Sequence, residues 1–277
     1  MSENIGHFIH EVLKEDLGRG DLFERLVKKD FSVKAVIVAK DKGVFSGEIY
    51  AKEICRIFDI KYKILIKDAQ IFKEGEVLFE LEGDYTKLLK IERTLLNILQ
   101  HSCGIATNTA TYVKELENID IAILDTRKTR PLLRNFEKYS VRNGGAKNHR
   151  MGLDDTLMLK DTHLKYIQES DLKSFIKLAR KNIPWTAKIE IECEDVLFAK
   201  TAMCSGADII MCDNMEVRDI KEVVAFRDEY YPNVLLEGSG RITKEKALIY
   251  AQSGVDAISI GSLIHQAVWL DLSMKML

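Results

Sequence analysis

The chain has 277 residues, 46% of them hydrophobic and 30% charged, with a formal net charge of −2. Such a length buries roughly three quarters of its unfolded surface in one large or two smaller domains, and a near-neutral balance argues against nucleic acid or an anionic membrane as partner, because those leave a basic excess. The five cysteines (Cys55, Cys103, Cys193, Cys204, Cys212) are scattered and include no C-x-x-C pair, so they signal neither a disulfide framework nor a zinc site.

The first residues lack the basic start and apolar run of a signal peptide, and no apolar stretch reaches the length of a membrane span. A cytoplasmic location is therefore expected. Periodicity then predicts a short amphipathic helix over 7–14, strands over 33–39, 62–66 and 77–81, and a helix over 48–58. A long helical pattern over 85–116 follows, with an expected break at Gly104. With three prolines (Pro131, Pro184, Pro232) and no Ser/Gly-rich stretch, no flexible linker is indicated.

From residue 121 onward the pattern becomes apolar strand, polar ending, amphipathic helix. Strands are expected over 121–124, 157–159, 187–191, 208–211, 234–236 and 257–260. Repetition of this unit implies parallel strands, since each helix returns the chain to the same end. Reactive side chains fall at every strand's C-terminal end: Asp125-Thr-Arg-Lys, Lys160-Asp, Glu190-Ile-Glu, Asp213-Asn, Glu237-Gly-Ser-Gly and Gly261-Ser. Chemistry drawn from all strand ends, rather than from one switch point, favours a barrel, and six strands leave it incomplete.

Residues 126–150 hold eight Lys/Arg against one acid, Glu137. Arg134, Lys138 and Arg142, four apart, read as a solvated helix face. Arg127 and Lys128 instead follow a strand directly, His149 and Arg150 follow the flexible Gly144-Gly145 pair, and Lys160 ends the next strand. Converging guanidinium forks suit a ligand with several carboxylates or phosphates, at about 1.5–3 kcal/mol per charged hydrogen bond. Glu190 and Glu192 share one strand face. Glu192 with Asp213 offers the one or two carboxylates that Mg²⁺ takes beside phosphates and water, while Glu190 is read equally well as the partner of a neighbouring base. Ser239, Gly240 and Gly261 lead into helix patterns and can expose backbone N–H groups to a phosphate.

Several ordered runs carry a resemblance: Glu92-Arg-Thr-Leu-Leu-Asn, Ser102-Cys-Gly-Ile-Ala-Thr, Asp125-Thr-Arg-Lys-Thr, Glu137-Lys-Tyr, Asn148-His-Arg-Met-Gly-Leu, Lys160-Asp, Gly206-Ala-Asp-Ile-Ile-Met and Ser259-Ile-Gly-Ser-Leu. Together with Glu15-Asp-Leu-Gly-Arg-Gly-Asp they span nearly the whole chain and resemble the quinolinate phosphoribosyltransferase family. The resemblance implies an N-terminal α/β sandwich domain over 1–102. An open, incomplete α/β barrel of six or seven parallel strands follows over 103–265, and a C-terminal helix at about 266–277 packs back on the first domain.

It further implies phosphoribosyl transfer from phosphoribosyl pyrophosphate (PRPP) to quinolinate with Mg²⁺ as cofactor. The implied assembly is a homodimer with shared active sites, joined into hexamers in some members. By the family's motif, Arg93 would cross the dimer interface to join Arg127, His149 and Arg150 on the quinolinate carboxylates. Thr126 would also line the substrate site. Lys128 and Lys160 would lie between the two substrates and act in catalysis with Glu192 and Asp213, the acids near the ribose and Mg²⁺. Ser239, Gly240 and Gly261 would hold phosphate.

Departures from the family pattern are Arg130 and Leu132, where Thr and Gly are usual, Ala146 for a third Gly, Thr162 for Asn, and Arg241 for Gly. None removes a charged candidate. The competing expectations are a molybdenum-uptake-associated paralogue of the same fold, an enzyme that uses nicotinate, and a non-catalytic anion-binding module. Retention of Asn148-His-Arg and Lys160-Asp argues against the first. Three arginines exceed the need of the second, and the third leaves Glu192 and Asp213 without a purpose.

Overall fold

A computed structural model describes residues 2–277, which divide into two units: 2–110 with Tyr139–Gly145 and Ala267–Leu277, and Thr111–Lys138 with Ala146–Gln266. In the first unit α1 (Ser2–Leu17) precedes β1 (Ser32–Ala39), β2 (Gly43–Val44), α2 (Glu48–Ile57), β3 (Lys61–Ile64), β4 (Ile71–Phe72), β5 (Val77–Asp84) and α3 (Tyr85–Glu115). The last residues of α3 belong to the second unit.

Periodicity explains these elements. Ile9 and Leu13 of α1, four residues apart, are buried, as are Tyr50, Ala51, Ile54 and Cys55 of α2, and Phe8 meets Tyr50 edge-on at 5.7 Å between ring centroids. In the sheet, Ala35, Ile37, Phe79 and Leu81 are buried at about 1.5–3 kcal/mol for each large side chain. The opposite face carries Lys61–Glu82 and Lys63–Glu80 pairs at 3.3 and 3.5 Å, whose exposure limits their contribution.

Two expectations fail here. Gly104 does not break α3, which runs unbroken through it. A Cβ at Gly104 would lie 2.2 Å from the carbonyl oxygen of Val268, so the residue admits a passing backbone rather than ending the helix.

The second unit begins with β6 (Ala122–Leu124) and continues through the first half of α4 (Arg134–Asn143), whose residues from Tyr139 onward belong to the first unit, then β7 (Leu157–Leu159), α5 (Asp161–Leu164), α6 (Leu172–Asn182), β8 (Ile189–Cys193) and α7 (Val196–Ser205). It ends with β9 (Ile209–Asp213), α8 (Val217–Tyr230), β10 (Leu235–Ser239), α9 (Lys244–Ala251), β11 (Ala257–Ser259) and α10 (Ser262–His265). The strands form one parallel sheet in the order β6-β11-β10-β9-β8-β7. Its edges, β6 and β7, are consecutive in the chain yet unpaired, so the barrel is open between them. A single parallel bridge of Leu124 with Lys147 extends the β6 edge by one residue.

The second failed expectation concerns the C-terminus, where β12 (Leu272–Met276) replaces the expected helix. It adds to the first unit's sheet, in the order β12-β1-β5-β3, antiparallel to β1 with Ile37 opposite Met274. Leu272, Met274 and Met276 alternate with Ser273 and Lys275, a period of two that no helix accommodates, and the free edge of β1 supplies the hydrogen bonds. Among the described residues no helix is long and apolar enough to cross a membrane.

Candidate active site

The parallel topology delivers every strand of the second unit to one rim, and a cavity of about 390 Å³ lies there. Thr126, Arg127 and Lys128 reach it after β6, Met158 and Lys160 from β7, and Glu192 from β8. Met211 and Asp213 come from β9, Ser239 from β10 and Ser259 from β11, while His149 and Arg150 come from the segment that joins β6 to β7. A second hollow of about 420 Å³ lies on the antiparallel sheet, lined by Lys34, Lys61, Lys63, Glu80 and Glu82. Lys61 and Lys63 pair with Glu82 and Glu80 across strands, which leaves no converging set of free charges.

Beneath the rim a buried node fixes the segment that carries His149 and Arg150. Asp125 and Lys138 are fully buried and form an ion pair. Asp125 also accepts from the backbone N–H of His149 (2.9 Å) and from the Asn148 amide (2.6 Å), while Lys138 Nζ donates to the His149 carbonyl (2.8 Å). Burial pushes the Asp125 carboxyl up and the Lys138 ammonium down, and each partner opposes that trend in the other. The expected solvated face of α4 is therefore wrong for Lys138. Arg134 is half-buried and donates to the Met151 carbonyl at 2.9 Å, which leaves Arg142 as the exposed member of the three.

One layer of acids lies below the cavity wall. Glu190 and Glu237 are almost completely buried, and the His149 Nε2 stands 3.4 Å from the first and 3.2 Å from the second. Burial lowers the proton affinity of His149, but the two carboxylates outweigh it and raise the pKa to about 10. Burial likewise raises the Glu190 carboxyl, against the effect of His149. Nδ1 of His149 accepts the Arg150 N–H at 2.7 Å, so a second ring proton there would face another donor. Charge and geometry thus pull in opposite directions, and the short Nδ1 contact with the Arg150 N–H holds the imidazole to a single proton on Nε2, on the side of the two acids.

At the cavity itself Arg150 is 9% exposed and donates to the Thr156 carbonyl at 3.1 Å, while the buried Nε of Arg127 has no partner. Lys160 and Glu192 form an ion pair, and the half-buried Asp213 accepts from the Asn214 amide at 2.6 Å. Cations that can bind a multiply charged anion thus stand beside carboxylates that can bind a metal or favour positive charge.

Gly240 and Gly261 do not line the cavity. Gly240 has φ +106°, and a Cβ there would lie 2.6 Å from the Asn214 backbone nitrogen, so two rim loops touch at a position only glycine fits. Gly261 precedes a helix of four residues, too short to offer much of a dipole. Arg93 is exposed on α3, outside the residues that line this cavity. The departures Leu132 and Arg241 have φ +64° and +47°, the left-handed region that suits the usual glycine. Arg130 is tied to the buried Glu137, with Nη1 2.6 Å from a carboxylate oxygen.

Sequence reading gave no site role to Met158, Met211, Ser259 or Glu237, although Glu237 was among the strand-end residues, and left Glu190 undecided. The signal was available: counting two residues back from Lys160, Glu192, Asp213, Ser239 and Gly261 gives Met158, Glu190, Met211, Glu237 and Ser259. A strand's period of two stacks each pair on the barrel's inner face.

The chain's residues 105–275 match the family profile for the quinolinate phosphoribosyl transferase C-terminal domain, and residues 21–103 match that for the N-terminal domain. A probable nicotinate-nucleotide pyrophosphorylase [carboxylating] of Bacillus subtilis is 38% identical over 94% of this chain and 89% of its own length. The nicotinate-nucleotide pyrophosphorylase [carboxylating] of Dictyostelium discoideum is 35% identical over 98% of this chain and 95% of its own. Among solved structures, the nicotinate-nucleotide pyrophosphorylase of Francisella tularensis superposes with a TM-score of 0.90 at 31% identity, covering 100% of this chain and 97% of the other.

Proposed function

The chain belongs to the quinolinate phosphoribosyl transferase family, and from that premise we infer that it joins the phosphoribosyl group of PRPP to the ring nitrogen of quinolinate. The products are nicotinate mononucleotide, pyrophosphate and CO₂, the last from the 2-carboxylate. One observation carries the reading: a single cavity gathers Arg127, Arg150 and Lys160 beside Glu192, Asp213 and Ser239. A dicarboxylate acceptor needs the first set and a phosphorylated sugar the second.

In this reading Arg127 and Arg150 grip the quinolinate carboxylates, with His149 and Thr126 completing the wall. Lys128 and Lys160 lie between the substrates. The carboxylates of Glu192 and Asp213 favour positive charge at ribose C1 as its bond to pyrophosphate lengthens, and Ser239, Gly240 and Gly261 shape the phosphate end. The pyridine nitrogen then forms the bond to C1. The cationic ring stabilises the electron pair left on C2 by the departing CO₂, and a proton from water takes the place of the lost carboxylate.

Mg²⁺ fits the donor set, because Glu192 and Asp213 are oxygen ligands at the ends of neighbouring strands beside room for phosphate and water. Bound there, it would supply positive charge to the leaving pyrophosphate. The site is completed in a homodimer, with Arg93 of the partner subunit joining the carboxylate grip and with hexamers as a further assembly.

The test is incubation of the protein with quinolinate, PRPP and Mg²⁺, following nicotinate mononucleotide and CO₂, with nicotinate in parallel. Product from quinolinate alone is expected. Product from nicotinate alone, or from neither with folded protein, would overturn the reading.

A further inference from the structure

We propose that Glu190 and Glu237 are positioning residues that act through His149 on Arg150, and that His149 itself donates no hydrogen bond to the substrate. The proposal deepens the quinolinate reading and rests on it.

Every polar group of His149 is engaged by the protein. Its N–H goes to Asp125 (2.9 Å) and its carbonyl takes Lys138 (2.8 Å). Nδ1 accepts the N–H of Arg150 at 2.7 Å, so it carries no proton to give to a carboxylate. The proton lies on Nε2, which faces Glu190 at 3.4 Å and Glu237 at 3.2 Å. Two buried acids from β8 and β10 thus bracket the ring electrostatically, Glu237 the nearer and Glu190 with neither oxygen hydrogen-bonded, and the ring in turn takes the Arg150 backbone N–H. Arg150 lines the cavity, and beyond the one hydrogen bond to the Thr156 carbonyl its guanidinium has donors left for an anion.

The same three residues bring potential ligand atoms within 4.8 Å of one another, which invites a metal. The tautomer argues otherwise. A histidine that binds a metal through Nε2 donates from Nδ1 to an acceptor, whereas here Nδ1 is itself the acceptor. The trio is a clamp built on the Nε2 proton.

The test is nitrogen NMR of the full-length protein labelled at histidine, with His149→Gln to assign the signal. The expected result is a proton on Nε2 alone, both free and with quinolinate bound. A proton on Nδ1, or transfer to it when quinolinate binds, overturns the proposal.

Kinetics supply the second readout. Glu237→Ala should raise the KM for quinolinate about tenfold or more while leaving the KM for PRPP unchanged, and Glu237→Gln, which keeps an accepting oxygen, should restore most of the loss. An equal rise in both KM values, or no recovery with Gln, counts against positioning. Absence of turnover by the unsubstituted protein would strike the quinolinate reading alone, since the imidazole signal still decides the clamp.

Discussion

Asp125 and Lys138 form an ion pair with no solvent exposure on either side, and the motif Asn148-His149-Arg150 hangs from it by four hydrogen bonds. Removing one member leaves the other charged, buried and unmatched, which costs roughly 3–5 kcal/mol, whereas removing both charges costs far less. Lys138→Met should therefore lower the denaturation midpoint sharply, and the double variant Asp125→Asn, Lys138→Met should regain much of it. Equal losses in the single and double variants would show that the pair is not the source of the effect.

Gly240 makes a prediction of a different kind. Its positive φ and the Asn214 backbone nitrogen 2.6 Å from a would-be Cβ leave no room for alanine. Gly240→Ala should cost about 1–3 kcal/mol through backbone strain, and should raise the KM for PRPP more than that for quinolinate. Denaturation and initial-rate measurements check both parts. A variant with unaltered stability would mean that the two loops part at little cost.

The barrel was legible because its strands are short apolar runs with polar endings, a signal that survives in a single sequence. The rim residues were legible for the same reason: Lys160, Glu192 and Asp213 each stand where a strand stops. The layer below was legible in its positions, two residues back along each strand, but not in its role, because only the fold brings Glu190 and Glu237 to one imidazole. Non-local contacts explain the remaining errors. β12 is a strand because the edge of β1 is open to it, and Gly104 is helical because Val268 passes close by. Neither fact can be read from residues near in sequence. Lys138 was misjudged on its helical spacing, since only the fold brings Asp125 beneath it.

Glu192 separates catalysis from stability. Its ion pair with Lys160 involves a lysine side chain that is 41% exposed, so Glu192→Gln should change stability by less than about 1 kcal/mol. The loss of a carboxylate beside the developing positive charge should lower kcat about a hundredfold or more, with a smaller change in the KM for quinolinate. A Mg²⁺ titration of the variant should need more metal for half-maximal rate. If kcat is retained, the acid serves only to hold Lys160.

The cysteines offer a check on the packing of both units. Burial pushes the thiols of Cys55, Cys103 and Cys212 up to about 12 and that of Cys193 well above its ordinary value, while Cys204 is exposed. A raised pKa keeps these groups as unreactive thiols until the pH approaches that value, and burial denies reagents access. Native protein at pH 8 should therefore yield one fast-reacting thiol per chain to a colorimetric disulfide reagent, and unfolded protein all five. Cys204→Ser should abolish the fast phase. A second fast thiol would place one of the buried four at a surface.

The shared site of the proposed dimer is open to a complementation experiment. Arg93 is exposed on α3, so truncating it removes little packing, and Lys128 is likewise exposed at the rim. Arg93→Ala and Lys128→Ala should each be inactive as pure proteins. In a hybrid dimer one site would combine both defects, and the other would contain an intact Arg93 from one subunit with an intact Lys128 from its neighbour. Mixing the variants under conditions of subunit exchange should then restore up to about a quarter of the normal activity, because half of randomly assorted dimers are hybrids with one good site of two. Exchange is followed independently by mass-tagged subunits. Full exchange without recovery would mean that Arg93 serves the cavity of its own chain or none, and the homodimer would lose its catalytic role.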